Sequence, residues 1–294
     1  MRKLLFFVFL SLSCLAFAAK EARTVRVLAI GNSFSEDAVE QYLYEIGVSG
    51  DYNLVIGNAY RAGQGLVSHW MDVSLKNNTF EYRKIVRGQR TVRKQQSLRH
   101  ILQDEAWDYV TLQQVSQDAG RPDTYEPYLS YMIDYVRQHT RNEHMKLGFQ
   151  MTWAYGPAST HLGFFYFNRN QQAMYDCIQQ TAQWVMLAHR EFDFLVPTGT
   201  AIQSARTSFL GNDLTRDGYH LDKTIGRYIA ACTWYEALFR RRVSEEAFYP
   251  ATISAEAAAV ARQVANRARR SPYKVWVVKA EEAREEPLRK AQWR

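Results

Sequence analysis

Cysteine is scarce in this chain of 294 residues, which contains only three. Cys14 lies in the N-terminal apolar stretch, so Cys177 and Cys232 alone remain for the rest of the chain. So few cysteines exclude a disulfide-rich small scaffold. Cys177 and Cys232 lie in apolar patterns typical of helices, and either one disulfide or two buried free thiols would suit them. The sequence also lacks a His-Glu-x-x-His motif and any cysteine–histidine cluster with zinc spacing, so we expect no metal site.

Long hydrophobic runs are lacking after the N-terminus, so we expect no membrane-spanning segment in the mature chain. The N-terminus itself carries the basic residues Arg2 and Lys3, an apolar run over residues 4–12, and the small-residue site Ala-Phe-Ala at residues 16–18. This order is typical of a cleaved signal peptide, which we assign to residues 1–18; an uncleaved membrane anchor is the alternative. We therefore expect a periplasmic or secreted protein.

No charge of one sign dominates, since 37 Lys and Arg residues against 30 Asp and Glu residues give a formal net charge of +7. Much of the basic excess lies in residues 83–99 and 262–270, which we interpret as solvated helix faces rather than a surface for an acidic polymer. Without a recognisable nucleic-acid module, this balance does not indicate a nucleic-acid partner.

Repeats and linkers are lacking too, so we predict one domain over residues 24–272 and a C-terminal tail over residues 273–294. The oligomeric state is left open.

Short apolar runs alternate with longer stretches of helical periodicity along the whole chain. The pattern predicts strands over residues 25–30, 53–59, 109–112, 146–151 and 195–196, and helices over residues 37–47, 97–105, 125–139, 171–190, 220–240 and 254–270. Strands separated by helical crossovers predict an α/β fold with a parallel sheet covered on both faces. Function in such sheets gathers at the carboxyl ends of the strands, where Ser33, Gly63, Gln113, Gln114 and Trp153 are expected.

A serine, an aspartate and a histidine occur in the order and spacing of a hydrolytic triad. Ser33 follows the first strand, and Asp217 precedes His220 by three residues at a predicted helix start. A serine hydroxyl needs a base such as imidazole, and the imidazole needs a carboxylate that orients it. The alternative for each is structural: Ser33 or Asp217 could cap a helix, and His220 could lie on a helix surface.

Ester chemistry also needs donors that stabilise the negative charge on the reacting oxygen. The amides of Ser33 and Gly63 are candidates, and so is the side-chain amide of Gln113 or Gln114. Since neighbouring residues on a strand point to opposite sides, we expect only one glutamine to serve. A plain turn at Gly63 and a polar strand end at Gln113 and Gln114 are the alternatives.

The segment Gly-Asn-Ser-Phe-Ser at residues 31–35 resembles the first block of the SGNH, or GDSL-like, hydrolases, and Asp-Gly-Tyr-His at residues 217–220 resembles their last block. With Leu-Val-Ser-His-Trp at residues 66–70 and Leu-Gln-Gln at residues 112–114, the chain is similar to a Bacteroidetes subgroup of that superfamily. The resemblance implies a three-layer α/β/α, flavodoxin-like sheet and ester hydrolysis. It assigns Ser33 as nucleophile, His220 as base and Asp217 as the residue that orients His220.

Two departures from the superfamily stand out. Asn32 replaces the usual aspartate beside the serine, and the Gly-x-Asn-Asp block is absent, with Gln113 and Gln114 near its place. Gly63 matches the glycine of the second block, although the match could slip to Gly65.

These observations predict a secreted serine esterase that removes O-acyl groups, above all O-acetyl, from oligo- or polysaccharides, with no cofactor. We expect Asn32, Trp70 and Trp153 to contact the substrate, the tryptophans by stacking on sugar rings; core packing is the alternative for both rings. A glycan-binding protein that has lost the chemistry, and a lipase or thioesterase, are the alternative functions.

Overall fold

A seven-stranded sheet forms the centre of the computed structural model, which describes residues 22–278. The predicted signal peptide at residues 1–18 and residues 279–294 of the predicted tail lie outside the described residues. The strands are β1 Arg23–Gly31, β2 Tyr52–Tyr60, β3 Phe80–Val86, β4 Gln89–Gln96, β5 Tyr109–Leu112, β6 Lys146–Gln150 and β7 Phe194–Val196. The helices are α1 Ser33–Val39, α2 Leu43–Ser49, α3 Leu66–Ser74, α4 Leu98–Asp104, α5 Tyr128–His139, α6 Gln171–Ala188, α7 Thr198–Ala205, α8 Ile225–Phe239 and α9 Ala255–Arg270.

The order of the parallel strands defines where a ligand can bind. It runs β2-β1-β5-β6-β7, with every adjacent pair parallel. The chain leaves β1 toward β2 and then crosses back to β5, so right-handed crossovers place the intervening helices on opposite faces of the sheet. This is the flavodoxin-like order, whose binding crevice opens where β1 and its neighbour β5 diverge at their carboxyl ends. The predicted three-layer α/β/α fold is confirmed as a single domain.

The prediction of an entirely parallel sheet is wrong at one edge. β3 pairs antiparallel with β2, and β4 pairs antiparallel with β3, joined by a two-residue turn at Arg87 and Gly88 with positive φ at both. The basic stretch interpreted as helix faces is therefore mostly this hairpin. Phe80 and Tyr82 lie in the core, the side chains of Arg83 and Lys84 are partly buried in ion pairs, and Arg90 and Arg93 of β4 are exposed.

Helix boundaries also differ from the sequence patterns in two places. The helix predicted over residues 37–47 is two helices, broken at Tyr42, which has a φ of 70°. The helix predicted from residue 220 begins only at Ile225, so Asp217 and His220 lie in a turn before α8.

Cys177 and Cys232 are free thiols, so of the two alternatives, one disulfide or two free thiols, the structure has the second. No helix within residues 22–278 is long and apolar enough to cross a membrane.

Candidate active site

Ser33 is the first residue of α1, directly after β1. The helix is capped by Asn32, whose Oδ1 accepts a hydrogen bond from the amide of Phe34 at 2.9 Å. Because Asn32 does the capping, the Ser33 hydroxyl is available for another partner. That partner is His220, whose Nε2 lies 2.8 Å from Ser33 Oγ.

Asp217 holds His220 by both its backbone and its ring. Oδ2 lies 2.6 Å from Nδ1 of the imidazole, and Oδ1 accepts hydrogen bonds from the amides of Tyr219 and His220 at 3.1 and 2.8 Å. Burial alone would raise the pKa of the Asp217 carboxyl, but these hydrogen bonds from His220 and Tyr219 outweigh it and the pKa is lowered. The structure thus brings Ser33, His220 and Asp217 into one hydrogen-bonded line.

The Asp217 turn depends on Gly218, which has a φ of +88° and packs against a neighbouring loop. A Cβ at this position would lie 2.7 Å from Ser159 Cα, and the Gly218 carbonyl accepts a hydrogen bond from the amide of Gly156 at 2.7 Å. Only glycine combines this backbone conformation with this close approach. The turn is therefore placed by the loop that follows β6.

A buried carboxylate on α1 anchors the turn that contains Asp217. Asp37, one helical turn after Ser33, is fully buried and accepts from the amide of Leu221 at 2.8 Å. It also accepts from the guanidinium groups of Arg216 and Arg227 at 3.0 and 2.6 Å. Since Arg216 and Leu221 flank the Asp217 turn, this cluster fixes the distance between α1 and His220. Sequence reasoning missed Asp37 because its partners lie about 180 residues along the chain.

Ser33 and His220 open into a cavity of about 280 Å³ at the carboxyl ends of the strands. Its wall comes from the loops after β1, β2, β5 and β6 and from the histidine turn: Asn32, Ser33, Phe34, Tyr60, Ala62, Gly63, Val115, Ser116, Gln117, His161, Tyr219 and His220. A second cavity of about 320 Å³ lies at the opposite end of the sheet, against the first residues of β5, β6 and β7. Only the first cavity contains the serine–histidine pair, at the crevice that this strand order predicts.

Two residues of the cavity wall, Ser33 and Gly63, have backbone amides without a partner among the described residues. Within residues 22–278, neither the Ser33 amide nor the Gly63 amide has a hydrogen-bond acceptor. Gly63 has a φ of +64°, and nothing lies within 4 Å of the position a Cβ would take. The Gly63 loop is held by a hydrogen bond from the Arg61 amide to the Gly31 carbonyl, at 2.9 Å. Both amides therefore remain candidates for stabilising a developing oxyanion.

Asn32 also pins the Gly63 loop, which explains why this position is an amide. Its Nδ2 donates to the Gln64 carbonyl at 2.9 Å, while Oδ1 accepts from Gln113 Nε2 at 3.1 Å. An aspartate could not donate to the Gln64 carbonyl. Asn32 lines the cavity, and its side-chain oxygen and nitrogen both make hydrogen bonds within the protein, so it has this structural role while its contact with substrate stays a prediction.

The prediction that either Gln113 or Gln114 donates to the oxyanion needs correction, because neither lines the cavity. Gln114 Oε1 accepts from the amides of Leu66 and Val115 at 3.0 and 2.9 Å, and its Nε2 donates to the Thr124 carbonyl at 3.1 Å. Gln113 donates to Asn32. Both side chains support the loops around Ser33.

We expect Gln114→Ala to destabilise the fold, because two buried amides would lose their acceptor at a cost of about 1–3 kcal/mol each. Urea denaturation should show a lower free energy of unfolding, while Gln180→Ala, an exposed position on α6, should match the wild type. A stable Gln114→Ala protein with a strongly reduced maximal rate would instead restore the glutamine to the oxyanion site.

The two predicted stacking tryptophans do not lie in the cavity either. Trp153 is fully buried, its ring stacks on Phe34 with centroids 4.3 Å apart, and its Nε1 donates to the Tyr219 carbonyl at 2.8 Å. The prediction that Trp153 stacks on a sugar is therefore wrong. The ring lies in the core, where it contacts Phe34, next to Ser33, and Tyr219, next to His220. Trp70 packs on Tyr131 with centroids 4.7 Å apart and lies outside the cavity wall.

The sequence patterns did not single out some residues that line the cavity, above all His161. Tyr60 is another, with the guanidinium of Arg83 3.3 Å from its ring centroid. The available signal was position: Tyr60 is the last residue of β2 and His161 lies in the loop after β6, both at the carboxyl edge of the sheet.

Comparison with known proteins identifies the family. The profile described as "Domain of unknown function (DUF4886)" matches residues 26–268. The chain belongs to the DUF4886 family. A crystal structure of a DUF4886 family protein from Bacteroides uniformis is 40% identical, with a TM-score of 0.83 over 87% of this chain and 98% of that one.

More distant likenesses share only the fold. A protein from Slackia heliotrinireducens, provisionally described as an SGNH hydrolase, is 16% identical, with a TM-score of 0.46 over 74% of this chain and 100% of that one. An acetylxylan esterase from Geobacillus stearothermophilus is 11% identical, with a TM-score of 0.45 over 72% of this chain and 93% of that one. No curated protein matches the sequence with significance. The family shown for this chain is DUF4886, and the resemblance to SGNH hydrolases found in the sequence stays a prediction.

Proposed function

We propose that this DUF4886 protein is a serine ester hydrolase in which Ser33 is the nucleophile, His220 the base and Asp217 the residue that orients His220. The observation that carries the proposal is the line of two short hydrogen bonds, 2.8 Å from Ser33 to His220 and 2.6 Å from His220 to Asp217, at the wall of a cavity. A nucleophile, a base and an orienting carboxylate in this geometry are the parts that acyl transfer requires.

In the proposed reaction, Ser33 Oγ attacks the ester carbonyl while its proton passes to His220 Nε2. The carbonyl oxygen becomes an oxyanion, which the amides of Ser33 and Gly63 stabilise. The oxyanion collapses, the bond to the alcohol breaks, and His220 returns the proton to the leaving oxygen. Water then attacks the acyl-Ser33 ester with the same help from His220 and releases the carboxylic acid.

Labelling with a fluorophosphonate tests this proposal directly, because phosphonylation of a serine requires an activated hydroxyl. Mass spectrometry of the protein should place the adduct on the peptide that contains Ser33, and prior denaturation should prevent it. An unlabelled native protein would favour the alternative of a glycan-binding protein that keeps the fold without the chemistry.

We further propose that the substrates are O-acetyl groups on oligo- or polysaccharides outside the cytoplasm. The expected signal peptide supports an extracytoplasmic site of action. The cavity wall supports a polar alcohol and a short acyl group, because Ser116, Gln117 and His161 line it together with the rings of Tyr60 and Tyr219. A long acyl chain would need an aliphatic channel, and Val115 and Ala62 are the aliphatic side chains of this wall.

A series of aryl esters of increasing acyl length separates this proposal from the lipase alternative. Each methylene that is properly buried contributes about 0.8 kcal/mol, so a lipase gains steeply in kcat/KM from acetyl to octanoyl esters. We expect the reverse here, with kcat/KM highest for the acetyl ester and lower for the butyryl ester. A maximum at hexanoyl or longer esters would contradict the acetyl assignment and favour a lipase.

A further inference from the structure

His161 lies at the start of the 3-10 helix Leu162–Phe167 and forms part of the cavity wall. Its Nδ1 accepts a hydrogen bond from the amide of Gly163 at 3.0 Å and lies 3.3 Å from the hydroxyl of Tyr155. The Tyr155 hydroxyl in turn lies 2.8 Å from Ser116 Oγ. The imidazole is therefore held by the Gly163 amide and by the Tyr155 hydroxyl, which Ser116 contacts in turn, and none of these groups has a part in the proposed triad.

These contacts determine which nitrogen carries the proton. A backbone amide can only donate, so Nδ1 of His161 must be the acceptor and the hydrogen lies on Nε2. Burial lowers the pKa of His161, and the positive charge that His220 can carry lowers it further against the weaker effect of Asp217. His161 is thus a neutral imidazole. Within the described residues its Nε2 has no hydrogen-bond partner, and this N–H is not among the buried unsatisfied atoms.

The sheet order places His161 on the side where the alcohol must leave. The general acid protonates the leaving oxygen, so the alcohol lies on the imidazole side of Ser33. His161 and His220 both contact the ring of Tyr219, with centroid distances of 4.8 and 4.2 Å. Gly63, the proposed oxyanion donor, comes from the loop after β2, on the other side of β1 from β6.

We propose that His161 donates a hydrogen bond from Nε2 to an oxygen of the leaving alcohol, and so selects polyhydroxylated alcohols such as sugars; this inference rests on the proposed hydrolase function. The adjoining 3-10 helix gives the subsite an outer edge. Leu162, which directly follows His161, is 79% exposed and offers apolar surface to a longer saccharide.

Two substitutions separate a donor to substrate from a structural cap. Asparagine places its carbonyl oxygen near Nδ1, so His161→Asn keeps the acceptor for Gly163, and its shorter side chain leaves no donor at the position of Nε2. Glutamine places its amide nitrogen near Nε2, so His161→Gln keeps a donor and loses the acceptor. The measured quantity is kcat/KM on acetylated xylo-oligosaccharides divided by kcat/KM on nitrophenyl acetate, whose leaving group has no hydroxyls.

We expect His161→Asn to lower this ratio by at least about tenfold, mainly through KM, and His161→Gln to recover most of it. His144→Asn, the same change at a histidine whose side chain is 87% exposed, should leave the ratio at the wild-type value. A His161→Asn protein with an unchanged ratio, or a His161→Gln protein that is the more impaired of the two, would overturn the inference. A wild-type protein that cleaves neither ester and resists the fluorophosphonate would instead remove the hydrolase proposal itself.

Discussion

Replacing Ser33 with alanine is expected to abolish hydrolysis of an acetyl ester while leaving the fold intact. Loss of the nucleophile costs on the order of a millionfold in kcat in a well-studied serine protease, because no other group can form the acyl-enzyme. The fold should persist because Asn32, and not Ser33, caps α1. Turnover of nitrophenyl acetate and the thermal unfolding midpoint measure the two halves of this expectation.

The matched control is Ser74→Ala, a serine near the end of α3 whose hydroxyl is exposed. It should match the wild type in both measurements. If Ser33→Ala retained more than about a tenth of wild-type turnover, another group would have to be the nucleophile. The fluorophosphonate adduct should disappear from Ser33→Ala and remain in Ser74→Ala.

The parallel part of the sheet was predictable because its strands are short apolar runs separated by long helical periods. The strand at Tyr109–Leu112 is found with the predicted bounds. The hairpin was missed because its outward positions are basic, and a dense run of arginine resembles a solvated helix. The basic side chains of the hairpin form ion pairs with distant segments, which no local pattern shows: Arg83 pairs with Glu36 and Glu40 at 2.7 and 3.3 Å.

The proposed triad was predictable because each part lies in a short block with its own spacing. The supporting residues have no such block. Asp37 and His161 acquire their roles only when segments far apart in the chain meet. Neither composition nor a local sequence pattern predicts such long-range contacts. Trp153 shows the opposite error, since an aromatic ring after a strand has the same sequence signal whether it faces a ligand or packs on Phe34.

Replacing Asp217 with asparagine should reverse the tautomer of His220 while preserving the turn that holds it. Asp217 Oδ1 accepts from the amides of Tyr219 and His220, and an asparagine carbonyl can do the same. Its NH₂ group would then face Nδ1 of His220, where the carboxylate oxygen now lies 2.6 Å away. Because an NH₂ group can only donate, Nδ1 would become the acceptor and the hydrogen would move to Nε2.

An imidazole with its hydrogen on Nε2 cannot take the proton of Ser33, so the rate should fall by roughly ten-thousandfold, as it does for this change in the best-studied serine protease. The pKa of Asp217 is lowered, so the wild-type carboxylate loses its charge only as the pH falls below the usual aspartate range. At neutral pH the wild type is therefore fully charged, and the whole decrease in the rate of Asp217→Asn should be visible there. Measurement of kcat at neutral pH decides it, with Asp213→Asn, an exposed residue of the same loop, as the matched control. A rate for Asp217→Asn within about tenfold of the wild type would mean that the 2.6 Å contact does not set the tautomer of His220. The His220 ring would then be oriented by its packing against Tyr219 and Phe34.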